Sequence, residues 1–204
     1  MKTIKLLTLL TIFIGFSSCS NDDDDDPILL QVKTESVSNF YAPQVGGQGQ
    51  PISGDYTKFD FALGAATTST TEWDIAFRGT DIIINGGVSS GETDEPSRAG
   101  NAAAYIANGT MAGVASVDTA LLDQDSLNAH VLANWYTYTG PPNHLILPTA
   151  GKILVIRTRN GKYAKIEILS YYKDAPENPD AYSDEERYFT FNYVYQPNEG
   201  EVSF

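Results

Sequence analysis

Apolar and polar residues alternate with a period of two along most of the chain, the pattern of half-buried strands. Asp55 to Leu63 sets Thr57, Phe59, Phe61 and Leu63 on one face and Tyr56, Lys58 and Asp60 on the other. Thr71 to Phe77 repeats this, with Trp73, Ile75 and Phe77 directed inward and Glu72, Asp74 and Arg78 outward. Ile82-Ile83-Ile84 is a short β-branched run stopped by Asn85-Gly86-Gly87, and Gly and Asn end strands readily. A first strand is expected near Ile28 to Val37, another over Ala102 to Ala107, and a last one over Tyr188 to Tyr195, with Phe189, Phe191, Tyr193 and Tyr195 on one side. The polar stretch Ser89 to Gly100 reads as an exposed loop. Only Val117 to Leu132 has helical spacing, through Leu121, Leu122, Leu127 and Val131.

The clearest supersecondary signal runs from Ile153 to Ser170. Asn160-Gly161 suits a two-residue hairpin turn, where both positions take a positive φ. Pairing Arg159 with Lys162 then places Val155 across from Ile166 and Ile153 across from Ile168, on one core face with Ala164. Arg157, Arg159 and Lys162 cluster at the expected tip, either as a solvated strand end or as an anion contact. No period of 20 to 50 residues repeats, so solenoids and propellers are excluded. The expectation is a mostly β, single all-β domain over 28–204, built from antiparallel hairpins with one or two short helices.

The N-terminal pattern differs. Lys2 and Lys5 precede an apolar run from Leu6 to Phe16, too short to span a bilayer stably, followed by Ser17-Ser18-Cys19. Small residues before a Cys at the end of such a run resemble a bacterial lipoprotein signal, whose Cys is lipidated and becomes the new N-terminus. Residues 1–18 are thus expected to be a signal peptide and 19–27 a lipidated Cys with an acidic tether. Asp22 to Asp26 are five adjacent carboxylates, which repel one another and stay solvated. They read as a surface-export tag or as a linker, and they lack the spacing of a calcium loop.

Composition narrows function further. With 26 Asp+Glu against 13 Lys+Arg, the net charge is −13, which disfavours nucleic acid. The lone Cys excludes an internal disulfide, and two His leave little for a His-rich metal site. No nucleophile elbow, phosphate loop or dinucleotide fingerprint is present, and no carboxylate pair stands out. An enzyme is not expected.

Three stretches carry a resemblance. They are Trp73-Asp74-Ile75-Ala76-Phe77-Arg78 with Ile82 to Gly86; Lys152 to Arg157 with Asn160 to Lys165, continuing to Asp174; and Tyr188 to Tyr195. In this order they resemble the HmuY family of Bacteroidota haem-binding lipoproteins, over most of the expected domain. The resemblance implies a hand-like β fold holding haem between hairpins, with two axial His. It also implies a lipid-anchored outer-membrane location exposed on the cell surface, and passage of haem to a TonB-dependent receptor for iron acquisition.

The family's axial His follows a Trp-x-x-aromatic-x segment just before Gly-Pro. The matching stretch, Trp135-Tyr136-Thr137-Tyr138-Thr139-Gly140-Pro141, has no His. The second axial His belongs to an inserted hairpin without a counterpart here. Haem iron accepts imidazole or thioether ligands, so the candidates are Met111, His130 and His144, with Met111 and His130 as the expected iron pair. Trp135, Tyr136 and Tyr138 are candidate walls for a porphyrin. Each has a structural alternative: Met111 capping a core, His130 on a surface, His144 bonded to backbone in a loop, and the aromatics as ordinary core. The other functional reading is a surface interaction or glycan-binding module on the same fold that has lost haem ligation.

Overall fold

A computed structural model describes residues 29–204. Cys19, the acidic run and Ile28 lie outside the described residues. Thirteen strands follow in chain order among the described residues: β1 (Lys33–Tyr41), β2 (Val45–Gly47), β3 (Gln50–Ser53), β4 (Thr57–Asp60), β5 (Ala65–Thr67), β6 (Ile75–Arg78), β7 (Asp81–Ile84), β8 (Ala103–Asn108), β9 (Tyr136–Tyr138), β10 (Ile146–Pro148), β11 (Lys152–Arg157), β12 (Tyr163–Tyr172) and β13 (Glu186–Gln196). All pairings between these strands are antiparallel. A five-stranded sheet runs β1-β13-β12-β11-β8 and a four-stranded sheet runs β5-β4-β6-β7, with β2-β3 and β9-β10 as separate hairpins. The mostly β, antiparallel expectation holds.

The main core joins the two larger sheets. Phe59, Ile75, Phe77, Ile82 and Ile84 meet Leu154, Ile156, Ile166, Phe189, Phe191 and Tyr193 there. Its aromatic rings pack mainly edge to face, with Phe40 against Phe59 at 5.6 Å and Phe77 against Phe189 at 4.9 Å. Each such side chain contributes roughly 1.5–3 kcal/mol on burial. β13 supplies four aromatics by alternation, as its sequence pattern requires. Each sheet also buries part of its other face. Tyr56, Trp73, Ala76 and Ile83 cluster outside the four-stranded sheet, and Ile153, Val155, Tyr163 and Val117 outside the five-stranded one.

Several expectations are corrected. The first strand begins at Lys33, and its register shifts between Val37 and Phe40, where Asn39 takes φ 55°. This bulge turns Phe40 into the core. Trp73 leaves the face of Ile75 and Phe77 because regular strand geometry starts only at Ile75. Leu63 is exposed, whereas Asp60, Asp74 and Arg78 are buried. No α-helix covers Val117 to Leu132. Thr119–Leu121 forms one 3-10 turn capped by Asp118, and Ala133–Trp135 forms another.

The β11-β12 register is displaced by one residue from the sequence reading. Leu154 pairs with Ile166, Ile156 with Ala164 and Arg157 with Tyr163. Thr158 N donates to Lys162 O at 2.8 Å and Gly161 N to Thr158 O at 3.1 Å. The connection is therefore a turn over 158–161 ending at Gly161 in the left-handed region (φ 84°), a longer type of hairpin loop. Tertiary contact selects it. Arg159 donates from its backbone N and its guanidinium to Asp74 Oδ1, both at 3.1 Å, and from Nη2 to Asp60 Oδ2 at 3.1 Å. The anion met by this basic tip is internal. Burial raises the Asp74 carboxyl, against the Phe61 N–H and Arg159, which lower it.

The segment 88–100 is a loop but is not simply solvated. Arg98 is buried and pairs with Glu95 and, at 2.5 Å, with Asp125. It also donates to Gly86 O at 3.1 Å. Asn85 donates to Thr71 O and Trp73 O and accepts from Ala99 N and Gly100 N, at 2.8 to 3.0 Å. Gly86 follows at a point of close approach, where an added Cβ would lie 2.0 Å from Ala102 O.

Candidate functional site

The β9-β10 hairpin has a buried base and an exposed tip. Trp135, just before β9, is 1% exposed and donates from Nε1 to Thr80 O at 2.9 Å. Its ring packs on Tyr136, Tyr171 and Phe189, with centroids 4.9 to 6.0 Å apart. Ile146 N donates to Tyr172 Oη at 3.1 Å, tying β10 to the end of β12. Trp135 and half-buried Tyr136 are thus the footing of the hairpin, packed with the main core.

The tip, 139–145, is shaped by polar residues. Thr139 N donates to Leu145 O and Leu145 N to Thr139 Oγ1, both at 2.9 Å, while His144 N donates to Gly140 O at 2.8 Å. This turn brings the His144 ring beside Tyr138, whose hydroxyl is hydrogen-bonded to His144 Nδ1. Tyr182, from the loop before β13, stands perpendicular to the imidazole with centroids 6.3 Å apart. Its hydroxyl donates to Pro142 O at 2.8 Å, bridging the two loops. Tyr138 is 51% exposed and Tyr182 75%. Large aromatics left in water around one imidazole form a patch suited to a flat, apolar ligand.

The chemistry of this cluster follows from the imidazole. When Nδ1 carries the proton it donates to Tyr138 Oη, and Nε2 then presents a lone pair. A second-nitrogen hydrogen bond of this kind orients a ligating His and fixes its tautomer. His144 Nε2 has no hydrogen-bond partner among the described residues. Among those residues no three His, Cys, Asp or Glu side chains could jointly hold a metal ion. A single imidazole would suit a metal already held by other ligands better than a bare ion.

The other candidates lie elsewhere. Met111 packs against the cluster of Val117, Ile153, Val155 and Tyr163 on the outer face of the five-stranded sheet, opposite the face that carries Trp135 and Tyr136. It lines an open groove of about 850 Å³ with Phe204 and Val194, where Glu35 and Glu167 place carboxylates. Lys165 in that groove is taken up, donating to Met111 O and Val114 O at 2.7 Å each. His130 stands near Asp81, with its Nε2 shut off from solvent and without a hydrogen-bond partner. The structure therefore joins His144 to Tyr138, and it separates Met111 from the aromatics by the thickness of a sheet. Tyr182 was missed in the sequence because it is one tyrosine in an acidic loop, more than 30 positions from the hairpin it meets.

Comparison with known proteins agrees with this architecture. A search of curated proteins finds no match. Among solved structures, the apo HmuY analogue of Tannerella forsythia superposes with a TM-score of 0.54 at 12% identity, covering 84% of this chain and 100% of that one. A Bacteroides fragilis protein assigned as a lipoprotein gives 0.50 at 13% identity, covering 84% and 95%. A Bacteroides vulgatus protein assigned as HmuY-like and haem-binding gives 0.40 at 13% identity, covering 84% and 97%. The first two share the fold. The sequence profile of the HmuY protein matches residues 52–193, from β3 to β13, and on that match this chain belongs to the HmuY family.

Proposed function

We propose that this chain is a lipid-anchored surface protein that binds haem or a related porphyrin. On this reading, His144 Nε2 would hold the haem iron, Tyr138 would orient the imidazole, and Tyr138 and Tyr182 would offer aromatic surface to the porphyrin. Membership of the HmuY family supports haem as the ligand and a binding protein over an enzyme. The observation that carries the site is His144 enclosed by two exposed tyrosines at the hairpin tip. That tip is where the family pattern expects a His before Gly-Pro, so a His four residues after Gly140 takes over the task from the same loop. Cys19 anchors the chain in the outer membrane, the acidic stretch tethers it at the cell surface, and a TonB-dependent receptor takes the porphyrin onward.

Haemin titration of the full chain tests this. Saturable binding with a sharpened Soret band is expected, and His144→Ala should weaken it at least about tenfold, a change of about 1.4 kcal/mol. Met111→Leu and His130→Asn should leave it intact. Loss of the band in Met111→Leu, with His144→Ala unaffected, would move the site to the outer groove. No saturable spectral change in either oxidation state would end the haem reading.

A further inference from the structure

A second concavity has a different chemistry. It is a groove of about 580 Å³ between the β4-β5 hairpin and the stretch from Asp94 to Ser97. That size is ordinary for a small-molecule site. It lies on the side of the four-stranded sheet that carries Tyr56 and Trp73, the side opposite the main core on which the β9-β10 hairpin is footed.

The wall is preformed. Arg78, fully buried, donates to Thr93 O at 2.6 Å and to Gly54 O at 3.3 Å, and it pairs with Glu92. Its guanidinium lies 4.3 Å from the centre of the Tyr56 ring, whose hydroxyl donates to Glu92 at 3.0 Å. Loop and floor are thus held together before any ligand arrives, which removes much of the ordering cost of binding.

The lining offers uncommitted hydroxyls. Thr68, Thr70 and Ser97 line the groove, and their hydroxyls have no hydrogen-bond partner among the described residues, nor has the Asp55 carboxylate. A hydroxyl both donates and accepts. An array of them suits a ligand whose groups do the same, and suits an anion or a cation less well. Pro96 adds small apolar surface beside the hydroxyls, matching the C–H face of a pyranose ring. Charge selects further. Asp55 and Asp94, the latter accepting from Gly54 N at 2.8 Å, set two carboxylates in the lining against the one ammonium of Lys58, which donates to Ser69 O at 2.6 Å. That excess of negative charge opposes acidic sugars.

We propose that this groove binds a neutral oligosaccharide, independently of the porphyrin site. Saturation-transfer NMR on the full chain tests it, with maltotetraose, cellotetraose and N-acetylchitotetraose as neutral probes and tetragalacturonate as the acidic one. At least one neutral probe should bind saturably, with a Kd on the order of 1 mM or tighter. The double variant Thr68→Val, Thr70→Val should weaken it at least about tenfold, since each removes a hydrogen-bonding group from the lining. Thr68→Arg, which fills the groove from an exposed position, should abolish binding. Haemin titration should be unchanged in both variants. Absence of saturable binding by all three neutral probes, unchanged affinity in the variants, or preference for tetragalacturonate would each overturn the proposal.

Discussion

The segments 88–100 and 139–145 look alike in sequence, since both are polar and contain Gly and Pro. Their physics differs. The first is pinned by buried charge: the Arg98 side chain is 3% exposed, those of its partners Glu95 and Asp125 are 1% and 0% exposed, and Asn85 clamps the neighbouring backbone. The second is held by its own turn and by the bridge from Tyr182, with its aromatics in water. A buried ion pair adds little net stability over an apolar pair, but it fixes one geometry, because breaking it strands a charge. One loop is therefore built as a rigid wall. The other leaves its chemistry facing solvent, where a ligand can reach it.

The contrast can be broken by substitution, and the stability effects should rank accordingly. Arg98→Met leaves Glu95 and Asp125 buried without their cation and should destabilise the fold by about 3–5 kcal/mol, read as a lowered urea midpoint. Asn85→Ala removes two donated and two accepted hydrogen bonds from a fully buried position. It should cost about 2–3 kcal/mol by the same measurement, with the loop becoming sensitive to protease.

The pinned loop should also respond to acid. Burial alone would raise the Glu95 carboxyl, but hydrogen bonds from Ser89, Arg98 and Ser90, with the Arg98 charge, hold it at about 2 against an ordinary 4.5. A depressed carboxylate contributes its full stability above the unfolded value and loses it as the pH falls through the folded one. The wild-type urea midpoint should therefore fall between pH 4.5 and about 2, and Glu95→Gln should flatten that part of the profile. An unchanged profile in Glu95→Gln would show that the ion pair is not the source of the acid sensitivity. The smallest stability effect belongs to the other loop. His144→Ala should change the unfolding free energy by less than about 0.5 kcal/mol, while losing haemin binding. A large loss of stability there would make His144 a structural residue and remove the contrast.

Legibility in the sequence followed the range of the forces involved. β6, β7, β8 and β13 were readable because alternation and β-branched runs are local, and burial on one face is their direct consequence. The β11-β12 hairpin was readable in place but misread in register. Asn160-Gly161 favours a two-residue turn locally, and the bonds from Arg159 to Asp74 and Asp60 favour the longer one. Those partners are 85 and 99 residues away. Asp60, Asp74 and Arg78 were assigned outward because alternation assumes one wet face, yet each sheet here carries a second buried cluster. At the candidate site, His144, Trp135 and Tyr136 were visible as residue types, while their division into tip and footing was not.

What the sequence determined by itself is the all-β class, most strand positions and the family. These rest on side-chain periodicity and motif order within short windows. What the tertiary structure decided is which polar residues are buried, which histidine stands among exposed aromatics, and which loop is rigid. These depend on contacts between segments tens of residues apart. Local propensity is worth a fraction of a kcal/mol per residue, and a buried charge or a displaced core face costs several times more, so the distant contacts prevail wherever the two conflict.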